Sequence, residues 1–116
     1  MSVRPVVSRP ASMSAGRVSE VVRHPVAGRE VALLGPERFR DRDVLDIGSG
    51  SGRLSFQLAR IARSVLGVDP NPAVVAQAEE TARRLGRTNL SFVVGAAQRL
   101  DTGRRRFDVA VFTWSL

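Results

Sequence analysis

The chain has 116 residues, 43% of them apolar, a formal net charge of +7 and no cysteine. That length fits one domain with enough apolar material for a core, so global disorder is excluded, and the lack of cysteine excludes disulfides and thiolate metal sites. His24 is the only histidine, which excludes a multi-histidine metal site, and no apolar run approaches the roughly 18 residues of a membrane span.

All eighteen basic residues are arginine. Arginine without lysine is a habit expected of a GC-rich coding sequence. The arginines are scattered in clusters, at Arg38, Arg40 and Arg42, at Arg83, Arg84 and Arg87, and at Arg104 to Arg106. Each cluster falls in a loop or at a helix end, where solvated charge is ordinary. Aromatic residues are 5% and tyrosine is absent, so there is no stacking platform beside the charge. Nucleic acid is a possible partner on this reading, not the favoured one.

Residues 1–16 are rich in Ser, Pro, Arg and Val and contain no apolar stretch like a secretory h-region. With no export signal, the cytoplasm is the expected location. Over residues 15–23 the spacing of Val18, Val21 and Val22 predicts a short helix, which Pro25 ends. Residues 1–27 therefore read as a leader, partly disordered or a short helix, and residues 28–116 as the folded domain. A second helical piece is expected over 28–34, stopped by Gly35-Pro36. Residues 38–43 read as a charged connector.

From Asp43 the pattern becomes regular. Val44-Leu45-Asp46-Ile47 is a buried strand that breaks into glycines. Residues 53–63 carry Leu54, Leu58, Ile61 and Ala62 at helical spacing. Residues 65–68 form a second strand, ended by Asp69-Pro70. Pro72 suits the first turn of a helix that buries Val74, Val75, Ala78, Ala82 and Leu85 and stops at Gly86. Residues 90–94 are a third strand, 97–102 one helical turn or a loop, and 107–112 a fourth strand. The strands are apolar on both faces, as in a parallel sheet covered by helices on each side. The expected fold is an α/β doubly wound parallel sheet, with the first strand near the middle and the second and third to one side. The chain stops just past the fourth strand, which would leave an apolar flank unpaired. A fragment, a truncated product or a chain completed by a partner is expected for that reason.

The stretch that carries chemistry is Asp46-Ile47-Gly48-Ser49-Gly50-Ser51-Gly52-Arg53. Glycines let the backbone turn tightly and approach a ligand, and the following helix presents free N–H groups. Dinucleotide sites favour G-x-G-x-x-G. Here the third glycine place holds Arg53, and the acidic Asp46 would repel a pyrophosphate. An oxidoreductase using a nicotinamide dinucleotide is disfavoured on both counts. A carboxylate there suits a ligand bearing an ammonium group and no phosphate, as S-adenosylmethionine does at its methionine end. Asp69 lies seventeen residues after Gly52, at a strand end where a carboxylate can accept hydrogen bonds from both ribose hydroxyls. Both aspartates also have plainer readings: Asp46 as a brace of the loop, Asp69 as a turn residue before Pro70.

Residues 46–52 with Asp69 after the next strand resemble the class I S-adenosylmethionine-dependent methyltransferase family, over about two thirds of the chain, residues 41–116. The resemblance implies a Rossmann-like, seven-stranded sheet with the cofactor across the strand ends, so that this chain holds the cofactor-binding half and is incomplete at its C-terminus. It places Asp46, Gly48, Ser49, Gly50 and Gly52 at the methionine moiety and Asp69 at the ribose. Pro70 would lie near the adenine, which Gly95, Ala96, Ala97 and Gln98 would flank. Thr113 and the residues after it would face the transferred methyl. The sequence departs from the family at Ala96, where an aspartate often accepts from the adenine amino group; Gln98 or a backbone carbonyl would substitute. Residues 112–115 also lack the Asn/Asp-Pro-Pro-aromatic run of amino-methylating DNA and protein enzymes, which leans the acceptor toward a small molecule. Trp114 reads as a packing residue and His24 as solvent-exposed. The expected function is methyl transfer to an unidentified acceptor; the alternative is a truncated cofactor-binding or partner-dependent module without catalysis. No metal is expected.

Overall fold

A computed structural model describes residues 6–8, 18–24, 35–96 and 106–113. Strands β1 (Val6–Ser8), β2 (Val18–His24), β3 (Asp43–Ile47), β4 (Ser64–Asp69), β5 (Leu90–Val94) and β6 (Phe107–Thr113) form one sheet in the order β1-β2-β6-β3-β4-β5. Helix α1 (Arg53–Leu58) joins β3 to β4, and helix α2 (Pro72–Arg84) joins β4 to β5. Every pair from β2 to β5 is parallel, and only β1 runs antiparallel. The first of the four expected strands, β3, lies inside the sheet, with β4 and β5 to one side and β6 to the other. That is the arrangement expected of right-handed crossovers.

Both faces of the central strands are buried, which is why β3 and β4 read as apolar runs rather than alternations. On one face Val44, Val65, Val109 and Val111 pack with Leu54 and Leu58 of α1 and Val75, Ala78 and Ala82 of α2. On the other face Leu45, Ile47, Leu66, Val68 and Ala110 form a second cluster. Among the described residues, the buried apolar helix side chains all belong to the first cluster. At the edge, β5 is only partly buried: Leu90 and Phe92 are buried while Ser91, Val93 and Val94 are exposed.

Helix α2 begins where Asn71 Oδ1 accepts from Ala73 N and Val74 N, satisfying two of the donors left over at a helix start, with Pro72 in the first turn. It buries Val75, Ala78 and Ala82 as expected, but Val74 only partly, and Leu85 faces solvent. The helix expected over 53–63 is regular only to Leu58. Beyond it the chain turns, because Arg63 N and Ser64 N donate to Arg42 O rather than back along the helix. Asn89 Nδ2 holds the turn by donating to the carbonyls of Ala59 (2.8 Å) and Ala62 (3.2 Å).

The helix expected over residues 15–23 is corrected to strand β2, which pairs with β6 from Val18↔Phe107 to His24↔Thr113. Val18, Val21 and Val22 fit a helical face, but β-branched residues fit a pleated sheet better. The flank of β6 that the sequence seemed to leave unpaired is their partner. Strands β1 and β2 therefore join the leader to the same sheet as residues 43–113. The expected helical piece over 28–34 lies outside the described residues. No described helix is long and apolar enough to cross a membrane.

The amino ends of the strands are tied by charged side chains. Asp43 accepts from Arg63 Nε (3.1 Å), Arg63 Nη2 (2.5 Å) and Ser64 Oγ (2.6 Å). Its own N–H donates to Asp108 Oδ2 at 2.8 Å, linking β3 to β6. The hydrogen bond to Asp43 raises the pKa of Arg63 above the ordinary guanidinium value.

Candidate functional site

The carboxyl ends of β3 and β4 are built differently. Where β3 runs out, Gly48 N (2.8 Å) and Ser49 N (3.0 Å) both donate to Val68 O, so the loop stays fastened to β4 after the regular pairing ends. Gly52 N donates to Ser49 O (2.9 Å), closing a tight turn into α1. The turn needs backbone angles that side chains disfavour: Gly50 has φ 56° and Gly52 φ 94°. Gly52 has a second constraint. A Cβ there would lie 2.8 Å from Phe92 Cζ and 3.0 Å from Phe56 Cε2. A Cβ on Gly50 would meet nothing within 4 Å among the described residues, so this part of the loop borders open space where a ligand can reach the backbone.

Asp69, half-buried at the end of β4, bridges two segments. Its Oδ2 accepts from Gly50 N and its Oδ1 from Asn71 N, both at 3.0 Å. The Asp69 carbonyl accepts from Gly95 N at 3.0 Å, which draws in the end of β5. The glycine loop, Asp69, Pro70 and Ala96 are therefore gathered at one end of the sheet. Thr113 closes β6 at the same end, in register with His24. Ala97 and Gln98 lie outside the described residues.

Asp46 has no exposed surface, and its Oδ2 accepts from the buried Ser55 Oγ at 2.5 Å. Ser49 is also buried, and its Oγ has no hydrogen-bond partner among the described residues. An unsatisfied buried hydroxyl is uncommon enough to mark a functional or strained place.

Four of the loop's backbone donors are already paired within the chain. A phosphate-binding loop works by aiming free backbone N–H groups at the anion. Here the N–H groups of Gly48, Ser49, Gly50 and Gly52 all have acceptors within the chain. The buried Asp46 places a carboxyl group at the foot of the loop. The arrangement suits a ligand that offers donors. Each Asp69 oxygen accepts one backbone N–H and keeps a second acceptor position. The carboxylate can thus take two hydroxyl groups, and the glycine backbone offers close approach. These features fit a nucleoside with an unphosphorylated, ammonium-bearing arm.

Two residues of this region carry no motif signal of their own. Phe92, from β5, stands under the loop with its ring 5.9 Å from that of Phe56. Gly67, inside β4, leaves room for it: a Cβ at Gly67 would lie 2.4 Å from Phe92 Cδ1 and 3.0 Å from Ser49 Oγ. A glycine inside a strand often marks such a close approach, and this was the available clue.

The family model for the methyltransferase domain matches residues 44–116. The 23S rRNA (uracil(1939)-C(5))-methyltransferase of Aeromonas hydrophila subsp. hydrophila is 41% identical over 96 residues, 81% of this chain and 20% of that protein. The ubiquinone biosynthesis O-methyltransferase of Azorhizobium caulinodans is 35% identical over 91 residues, 78% of this chain and 34% of that protein. Among solved structures, phosphoethanolamine N-methyltransferase 1 of Haemonchus contortus, in complex with phosphoethanolamine and S-adenosylhomocysteine, superposes with a TM-score of 0.58. It is 32% identical, over 66% of this chain and 16% of that one. The matched region thus spans between about a sixth and a third of these proteins' own lengths, as the 16% and 34% bounds show. The family match covers more than half of the chain and takes in the glycine loop, Asp69 and β6: the chain belongs to the methyltransferase domain family.

Proposed function

We propose that the chain forms the S-adenosylmethionine-binding part of a methyltransferase. The observation that carries this reading is the bridge from Gly50 N to Asp69 Oδ2, which joins a phosphate-averse glycine loop to a carboxylate with acceptor capacity to spare. In this reading Gly48, Ser49, Gly50 and Gly52 hold the methionine arm, above the buried Asp46 carboxyl. Asp69 takes the ribose hydroxyls. Pro70, Ala96, Ala97 and Gln98 border the adenine, and Thr113 lies toward the methyl.

S-adenosylmethionine, when bound, supplies a methyl group on a sulfonium, a leaving group that needs no further activation. The protein's task is then alignment and exclusion of water. No catalytic triad is required, and a general base is needed only for an acceptor that must lose a proton. The glycine loop fixes the position of the donor's arm and Asp69 its rotation about the ribose.

The acceptor is proposed to be a small molecule, because residues 112–115 lack the amino-methylating signature and one relative is an O-methyltransferase of ubiquinone biosynthesis. An RNA acceptor is the second reading, favoured by the net charge of +7 and by the rRNA methyltransferase relative. Salt-dependent binding of a structured RNA, with an affinity falling steeply between low and physiological salt, would decide for RNA.

Calorimetric titration with S-adenosylhomocysteine tests the cofactor assignment. Micromolar binding is expected, and Asp69→Ala should weaken it by about 100-fold or more, the loss of two hydrogen bonds to a charged group. Unchanged binding in a folded Asp69→Ala variant would sink the ribose assignment. A folded chain that binds nothing would leave the partner-dependent, non-catalytic module as the reading.

A further inference from the structure

Asp46 is the acidic residue of the loop motif, yet its carboxylate lies wholly beneath the surface. From there it bears on the loop backbone rather than presenting an exposed group. Its orientation then matters, because residues 48–52 start from the strand that carries it and end at the helix that holds it. Ser55 fixes that orientation. It is the third residue of α1, fully buried, and its hydroxyl donates to Asp46 Oδ2 at 2.5 Å. The bond spans the whole glycine loop: β3 carries Asp46, α1 carries Ser55, and residues 48–52 arch between them.

We propose that Ser55 is a positioning residue for the cofactor's amino-acid arm, setting the Asp46 carboxylate and the span of the glycine loop that holds this arm. The proposal rests on the S-adenosylmethionine reading above. It assigns Ser55 to one end of the ligand. The ribose and adenine contacts depend on Asp69 and the β5 end, which keep two anchors outside the loop, Asn71 N to Asp69 Oδ1 and Gly95 N to Asp69 O, besides the bond from Gly50 N to Asp69 Oδ2.

The test compares two ligands that differ only at the arm. S-adenosylhomocysteine carries the amino-acid group, and 5′-methylthioadenosine lacks it. In Ser55→Ala, affinity for S-adenosylhomocysteine should fall about tenfold, the scale of one hydrogen bond to a charged group, while affinity for 5′-methylthioadenosine stays within about twofold. Equal weakening of both ligands would make Ser55 a general support of the fold and overturn the proposal, as would no change in either. If Ser55→Ala does not fold, Ser55→Cys keeps the volume with a poor donor, and the same selective loss, smaller in size, is expected. Wild-type chain that binds neither ligand removes the S-adenosylmethionine reading and this proposal with it. Wild-type binding with an unselective variant removes only the proposal.

Discussion

The two ends of the sheet use the same residue types to opposite effect. At the amino ends, Asp43, Asp108 and Ser64 meet Arg63 and one another, so charge is matched by charge within the chain. At the carboxyl ends, Asp69 is held by backbone N–H groups alone, and among the described residues no arginine pairs with it. A carboxylate closed off by a guanidinium is structural. One braced by two amides keeps part of its acceptor capacity for something else. The contrast predicts that substitutions at the amino ends change stability and spare ligand binding, while those at the carboxyl ends do the reverse unless they touch the packing beneath the loop.

The largest effect should come from that packing. Phe92 is buried in the core and fills the space left by Gly52 and Gly67. Phe92→Ala is expected to cost about 3–5 kcal/mol of unfolding free energy, measured by urea denaturation, and to lower S-adenosylhomocysteine affinity because the loop loses its floor. A loss below about 1 kcal/mol would mean that the loop does not rest on this ring, and the division between a packed amino end and a ligand-facing carboxyl end would need redrawing.

Phe92 also shows where the sequence was legible and where it was not. The glycine loop and Asp69 stood out because their requirements are local: a turn that needs positive φ, and a carboxylate at a strand end. The order of β3, β4 and β5 followed from apolar strands joined by helices. The role of Phe92 is not local. It depends on two strands meeting, and only Gly67, an unexplained glycine inside a strand, hinted at it. Strand β2 was missed for a related reason. Val18, Val21 and Val22 satisfy both a helical face and a strand, and what decides between them is β6, far along the chain. The burial of Asp46 was equally invisible. The motif placed a carboxylate before the glycine loop, but its bond to Ser55 appears only once α1 is folded against β3.

A smaller effect is expected at the amino end. Asp108→Ala removes the acceptor for Asp43 N, a half-buried bond between β3 and β6. The cost should be about 1 kcal/mol, with S-adenosylhomocysteine affinity unchanged. A variant that keeps its stability but loses affinity would break the comparison outright, because the two ends would then be coupled through the strands.

The smallest effect concerns a pair that belongs to neither end. Glu80 and Arg83 sit one turn apart on the exposed side of α2, with Arg83 Nη2 2.7 Å from Glu80 Oε2. The hydrogen bond from Arg83 holds the Glu80 carboxyl below its ordinary pKa, and the neighbouring positive charge adds to this. A pKa lowered by folding means that the folded state binds its proton less readily than the unfolded chain. The resulting stabilisation is present above the unfolded value and is lost as the pH falls through the folded one, below about pH 4. Both side chains are solvated, so salt screens the pair and its contribution is slight. Melting curves of wild type and Glu80→Gln should therefore superpose at neutral pH in 1 M salt. At low salt any gap between them should close on acidification. A gap that persists in high salt, or one that widens toward acid, would show that α2 depends on this pair rather than on Val75, Ala78 and Ala82 packed against the sheet.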